Sequence, residues 1–136
     1  MEKLNFEYAD LVGKPFRDGG RGPDAYDCWG LAKEVFTRAG WHNLPDYPIS
    51  CYDAANISRQ IDAERPQWIR LAAPQAPCLI AIRFNTIRLV NHCAVYIGNG
   101  RMLHIREKTA AVIERIDSIM WRRRIEGYYI LKGART

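Results

Sequence analysis

The tripeptide Gly98-Asn99-Gly100 lies between two runs that carry strand signals, Val90 to Ile97 and Arg101 to Arg106, and constrains the fold more than any other feature of the chain. Glycine and asparagine tolerate the positive φ that tight hairpin turns demand, so the two runs are predicted to pair as antiparallel strands. Four more segments carry strand signals: Trp68 to Leu71, Cys78 to Phe84, Ala111 to Glu114 and Gly127 to Leu131. Before Pro66 the pattern is helical instead. Leu4, Tyr8, Leu11 and Val12 recur at helical spacing until Gly13 and Pro15 stop it. Leu31, Ala32, Val35 and Phe36 mark a second helix closed by Gly40, and Asp53 to Ala63 reads as a third. Helices first and strands last predict an α+β fold, N-terminal helices packed on an antiparallel β-sheet, rather than alternating βαβ units.

Residues 1–136 contain no Gly/Ser- or Pro-rich linker, so a single domain is expected. Hydrophobic residues at 48% and charged residues at 26% exclude a disordered or fibrous chain. No apolar run approaches the roughly 18 residues of a bilayer span, so no membrane span is expected. The N-terminal segment carries acidic residues and no continuous apolar core, which is not the pattern of a secretory signal; the chain is expected to be cytoplasmic when made. Cys28, Cys51, Cys78 and Cys93 lack metal-ligand spacing and are expected to be free thiols, the last three as packed residues with Cys93 turned away from His92. A net charge of +5 favours anionic partners, nucleic acid and an anionic cell wall alike. The basic run Trp121-Arg122-Arg123-Arg124 is too small a footprint for nucleic acid and reads as a solvated face, so no nucleic-acid partner is expected. His42, in the loop after Trp41, reads as an ordinary surface or capping histidine.

The chemistry concentrates at Asp27-Cys28, where a Gly-rich loop (Arg17 to Asp24) meets the second helix. Asp27 is placed to cap that helix and Cys28 falls in its first turn, where unpartnered N–H groups and aligned peptide dipoles stabilise a thiolate. A nucleophilic thiol needs a base. Alternation on the strand puts His92, Ala94 and Tyr96 on one face, while Met102, His104 and Arg106 share a face of the returning strand. A three-residue loop over 98 to 100 sets His104 opposite Ala94, diagonal to His92 on the same face. A two-residue Asn99-Gly100 turn would place the histidines on opposite faces. The sequence permits both turns. In the first arrangement one imidazole can take the thiol proton while the second fixes its tautomer.

The segment Asp27-Cys28-Trp29-Gly30-Leu31, followed by His92-Cys93-Ala94-Val95-Tyr96-Ile97-Gly98-Asn99-Gly100-Arg101-Met102-Leu103-His104, resembles the NlpC family of papain-like bacterial cell-wall cysteine endopeptidases. In that family a cysteine opens a helix inside an Asp-Cys-Ser-Gly-Leu type motif, and a His-Val-Gly-Ile-Tyr type strand leads through a Gly-Asn-Gly turn to a second histidine. The resemblance runs from about Leu11 to Tyr129. It implies a papain-like fold with Cys28 as nucleophile, His92 as general base and then acid, and His104 orienting that base. It further implies peptidoglycan stem peptides as substrate, commonly cut between D-glutamate and the following diamino acid, no metal or organic cofactor, and an Asp27 that contacts a free substrate amine.

Two positions depart from the family pattern. Phe16 stands twelve residues before the cysteine, where many members carry a tyrosine whose hydroxyl lines the active site, and Trp29 replaces the small serine after the nucleophile. Both are expected to shape substrate binding. A tryptophan after the cysteine resembles compact members found in phage tail modules, which implies phage tail proteins as partners and incorporation into a virion tail. Two other functions fit the same residues: a tail assembly protein without turnover, and a thiol acyltransferase or amidase built on the same triad.

Overall fold

The computed structural model describes residues 4–48, 50, 53–84 and 89–133. Helix α1 spans Cys28–Arg38 and helix α2 spans Ala54–Glu64; six strands follow, β1 Trp68–Leu71, β2 Cys78–Ile82, β3 His92–Gly98, β4 Arg101–His104, β5 Val112–Arg115 and β6 Ile125–Leu131. All neighbours pair antiparallel in one sheet of order β1-β6-β2-β3-β4-β5. This is the expected α+β arrangement. The predicted first helix is corrected: only the 3₁₀ turn Ala9–Leu11 forms there. Gly13 and Pro15 leave too few residues to offset helix nucleation, and Phe6 and Leu11 are buried without it.

Helix α1 exists because Asp27 caps it and because Leu31, Ala32, Val35 and Phe36 form one apolar stripe. That stripe packs against Val95 and Ile97 of β3, Leu103 of β4, and Ile105. The opposite face of the sheet carries a second core in which Ile80, Ile82, Ala94, Tyr96 and Met102 surround the fully buried Trp121. Among the described residues no helix is long and apolar enough to cross a membrane.

The β3–β4 hairpin combines the two turns that the sequence permits. Asn99 and Gly100 have φ of 55° and 72° and Gly98 pairs with Arg101, a two-residue turn of the kind that requires positive φ at both centres. The register then shifts, so that Tyr96 pairs with Met102 and Val95 with Leu103. Ile97 is the extra residue of a β-bulge. Continued one pair further, this register sets His104 across from Ala94, and both histidines lie on one face after all.

Candidate active site

Asp27 builds the platform on which Cys28 stands. Its carboxylate accepts from the Gly30 N–H at 2.7 Å and the Gly19 N–H at 3.2 Å, and pairs with Arg21 at 2.8 Å. Arg21 in turn reaches Asp46 at 2.6 Å and the carbonyl of Tyr47 at 3.2 Å, so one ion-pair chain ties the Gly-rich loop, the start of α1 and the 46–47 segment together. Burial pushes the Asp27 carboxyl upward against the opposing pull of the Arg21 and Gly30 bonds. Gly30 has a steric reason to be glycine: a Cβ there would stand 2.0 Å from the Gly20 carbonyl oxygen.

Cys28 follows as the first residue of α1, half-buried at the cleft. Its thiol is held well below the ordinary cysteine value by a hydrogen bond from Cys93, against the opposing effect of burial, and with help from the bond to His92 and its charge. Cys93 is therefore more than a packed residue. Alternation does turn it away from the histidine face, but the other face of β3 is the one α1 covers, and there its thiol meets Cys28. The Cys93 thiol is correspondingly pushed up, chiefly by the Cys28 charge it bonds and by burial.

His92 opens β3, immediately after Asn91, whose side chain clamps the backbone N–H and C=O of Phe84 at 2.7 Å each. Its Nε2 lies 3.1 Å from Nδ1 of His104. His104 is 1% exposed, and burial with the nearby His92 charge lowers its pKa to about 4 despite a bond to Glu114. The sheet thus brings Cys28, His92 and His104 together in the order the sequence predicts.

The sequence did not point to Glu114 or Trp121. Glu114 Oε2 accepts from His104 Nε2 at 2.5 Å and from Trp121 Nε1 at 2.7 Å. Met102 pairs with Glu114 and His104 with Val112, so Glu114 is the diagonal neighbour of His104 on β5, as His104 is of His92. The long loop between β4 and β5 does not fix their register from sequence, so this pairing appears only in the assembled sheet. In the sequence Trp121 reads as part of a basic face. Arg122 and Arg123 are exposed as expected, but the indole is buried edge-on to His104, with ring centroids 4.8 Å apart.

A cavity of about 150 Å³ opens beside Cys28 and His92. Trp29 lines it from the core side, 8% exposed, its Nε1 bonded to the Pro45 carbonyl and its ring against Tyr47 and Trp68. Ile57 and Ile61 of α2 add to the lining, and Glu64, Arg65 and Glu126 supply charge. Phe16 packs against the α1-side core and is not among the residues lining this cavity. Asp27 does line it, with its carboxylate already engaged by three donors of its own chain. Cys78 is fully buried in the second core, and Cys51 lies outside the described residues.

Comparison with known proteins gives a concordant result. The model of the NlpC/P60 family matches residues 13–129. The chain is 25% identical over 117 residues to the probable endopeptidase p60 of Listeria monocytogenes serovar 1/2a, covering 86% of this chain and 21% of that protein. It spans about a fifth of the length of the curated relatives it matches. Among solved structures, an NlpC/P60 family protein from Bacillus cereus ATCC 10987 superposes with a TM-score of 0.63 at 21% identity, over 87% of this chain and 35% of that one. The NlpC/p60 domain of the peptidoglycan hydrolase SagA superposes with a TM-score of 0.59 at 14% identity, over 89% and 90%. These two likenesses establish the papain-like fold.

Proposed function

We propose, because the chain belongs to the NlpC/P60 family, that it is a cysteine endopeptidase of peptidoglycan stem peptides, working as a single domain over residues 1–136. The observation that carries this reading is the hydrogen-bonded line from Cys28 through His92 to His104 at the mouth of a cleft. His92 takes the Cys28 proton, and the thiolate attacks the scissile carbonyl carbon. The oxyanion that forms is met by the N–H of Cys28 at the positive end of α1. His92 then returns its proton to the leaving amine, and water hydrolyses the thioester with His92 as base.

The finer assignment is cleavage between D-glutamate and the diamino acid. The charged groups Glu64, Arg65 and Glu126 suit a stem peptide that carries both amines and carboxylates. Trp29 supports association with a phage tail, in which the enzyme is made in the cytoplasm and carried in the virion to open the wall locally. Defined stem peptides incubated with the enzyme, with products identified by mass spectrometry, test the substrate and the bond together. Fragments split after D-glutamate are expected; a cut elsewhere reassigns the bond, and no cut refutes the substrate. The aromatic and aliphatic lining of the cleft favours one second reading, thiol acyl transfer. It predicts that an added amine, rather than water, captures the acyl group.

A further inference from the structure

Glu114 stands at the end of the histidine line and does not touch the cleft, yet its position decides where every proton in that line sits. A carboxylate has no proton to donate, so the 2.5 Å contact requires that His104 carry its proton on Nε2. A neutral imidazole carries one ring proton, which leaves His104 Nδ1 as an acceptor. The 3.1 Å contact between His104 Nδ1 and His92 Nε2 is then a bond donated by His92. His92 consequently presents an unprotonated Nδ1, and that is the atom left to receive the thiol proton of Cys28.

We propose that Glu114 is a positioning residue for the reaction: it fixes the tautomers of His104 and, through it, of His92, so that the lone pair of His92 faces Cys28. Trp121 holds Glu114 in that task by donating to the same oxygen, Oε2, at 2.7 Å, while its buried indole packs against both histidine rings. The groups facing His104 are His92 from β3, Glu114 from β5 and Arg106 beyond β4. When the thiol ionises, its proton moves from Sγ to Nδ1 of His92, which becomes an imidazolium still donating from Nε2. No proton passes to His104 or Glu114. The carboxylate stabilises the imidazolium through the intervening neutral ring, and without it His104 is free to turn its proton toward His92 and oppose the transfer.

This inference rests on the cysteine mechanism proposed above, but its tests do not require the substrate to be identified. Nitrogen-15 NMR of the ring-labelled wild-type protein reads the tautomer directly: His104 is expected to be protonated on Nε2, and protonation on Nδ1 would overturn the proposal. The pH dependence of Cys28 alkylation by iodoacetamide gives a second readout. In Glu114→Leu its rise is expected at higher pH than in wild type, and in Glu114→Gln, which keeps an acceptor oxygen, to stay close to wild type. Identical profiles for wild type and folded Glu114→Leu would also overturn it. If stem peptides are substrates, Glu114→Leu is expected to lower kcat about 10- to 100-fold at unchanged KM, by analogy with other residues that orient a reacting group from behind. An inert wild type with the expected tautomers would count against the substrate and leave the proton line standing.

Discussion

At the residue scale, the Cys28 thiol is tuned by two neighbours of different kinds. Cys93 donates to the Cys28 sulfur, and His92 bonds it and supplies charge; both lower the thiol pKa against the cost of burial. Replacing Cys93 by valine removes the donor and keeps the volume of a packed strand residue. The alkylation profile of Cys28 in Cys93→Val should therefore shift to higher pH, and an unchanged profile would leave His92 as the only tuning group. The two histidines are unequal. His92→Ala removes the base, whereas His104→Ala leaves a base in place with its tautomer no longer held, so the larger loss of kcat is expected for His92→Ala. Equal losses, or the reverse order, would reassign the pair.

At the element scale, the turn from the Gly-rich loop into α1 positions the thiol, and its parts are separable. Asp27→Ala removes the cap and leaves Arg21 without its buried partner, so thermal unfolding should show a loss of about 2 kcal/mol, the cap itself accounting for roughly 0.5–2. Gly30→Ala is expected to be worse, because its Cβ meets backbone at 2.0 Å and the loop must move to admit it. Much of this was legible in the sequence. The cap and apolar stripe of α1, the existence of α2 and all six strands follow from local patterns. The hairpin register was not legible, because it depends on a bulge at Ile97 that no residue type announces. Glu114 and the role of Cys93 were hidden for a similar reason. Both depend on which face of the sheet a helix or neighbouring strand covers, and that is a property of the assembled sheet rather than of the segment.

At the scale of the whole molecule, the sheet keeps the histidine pair on one face and Cys28 on the other, joined where β3 begins at His92. Burying His104 beside Trp121 links stability to pH. Its pKa falls from 6.5 to about 4 on folding, so the unfolded chain binds more protons between those values. The contribution is complete above pH 6.5 and lost as pH falls toward 4. A shift of that size corresponds to roughly 3 kcal/mol. Urea unfolding measured from pH 7 to pH 4 should show this decline, and it should be reduced in a folded His104→Gln variant.

The central claim is that Cys28 forms and breaks the covalent bond to substrate, and the most direct measurement is hydrolysis of purified peptidoglycan by wild type and Cys28→Ala, with matched folding shown by circular dichroism. Cleavage by the wild type and none by the variant is the predicted result. Cleavage retained in a folded Cys28→Ala sample would contradict the mechanism, whatever the geometry around it.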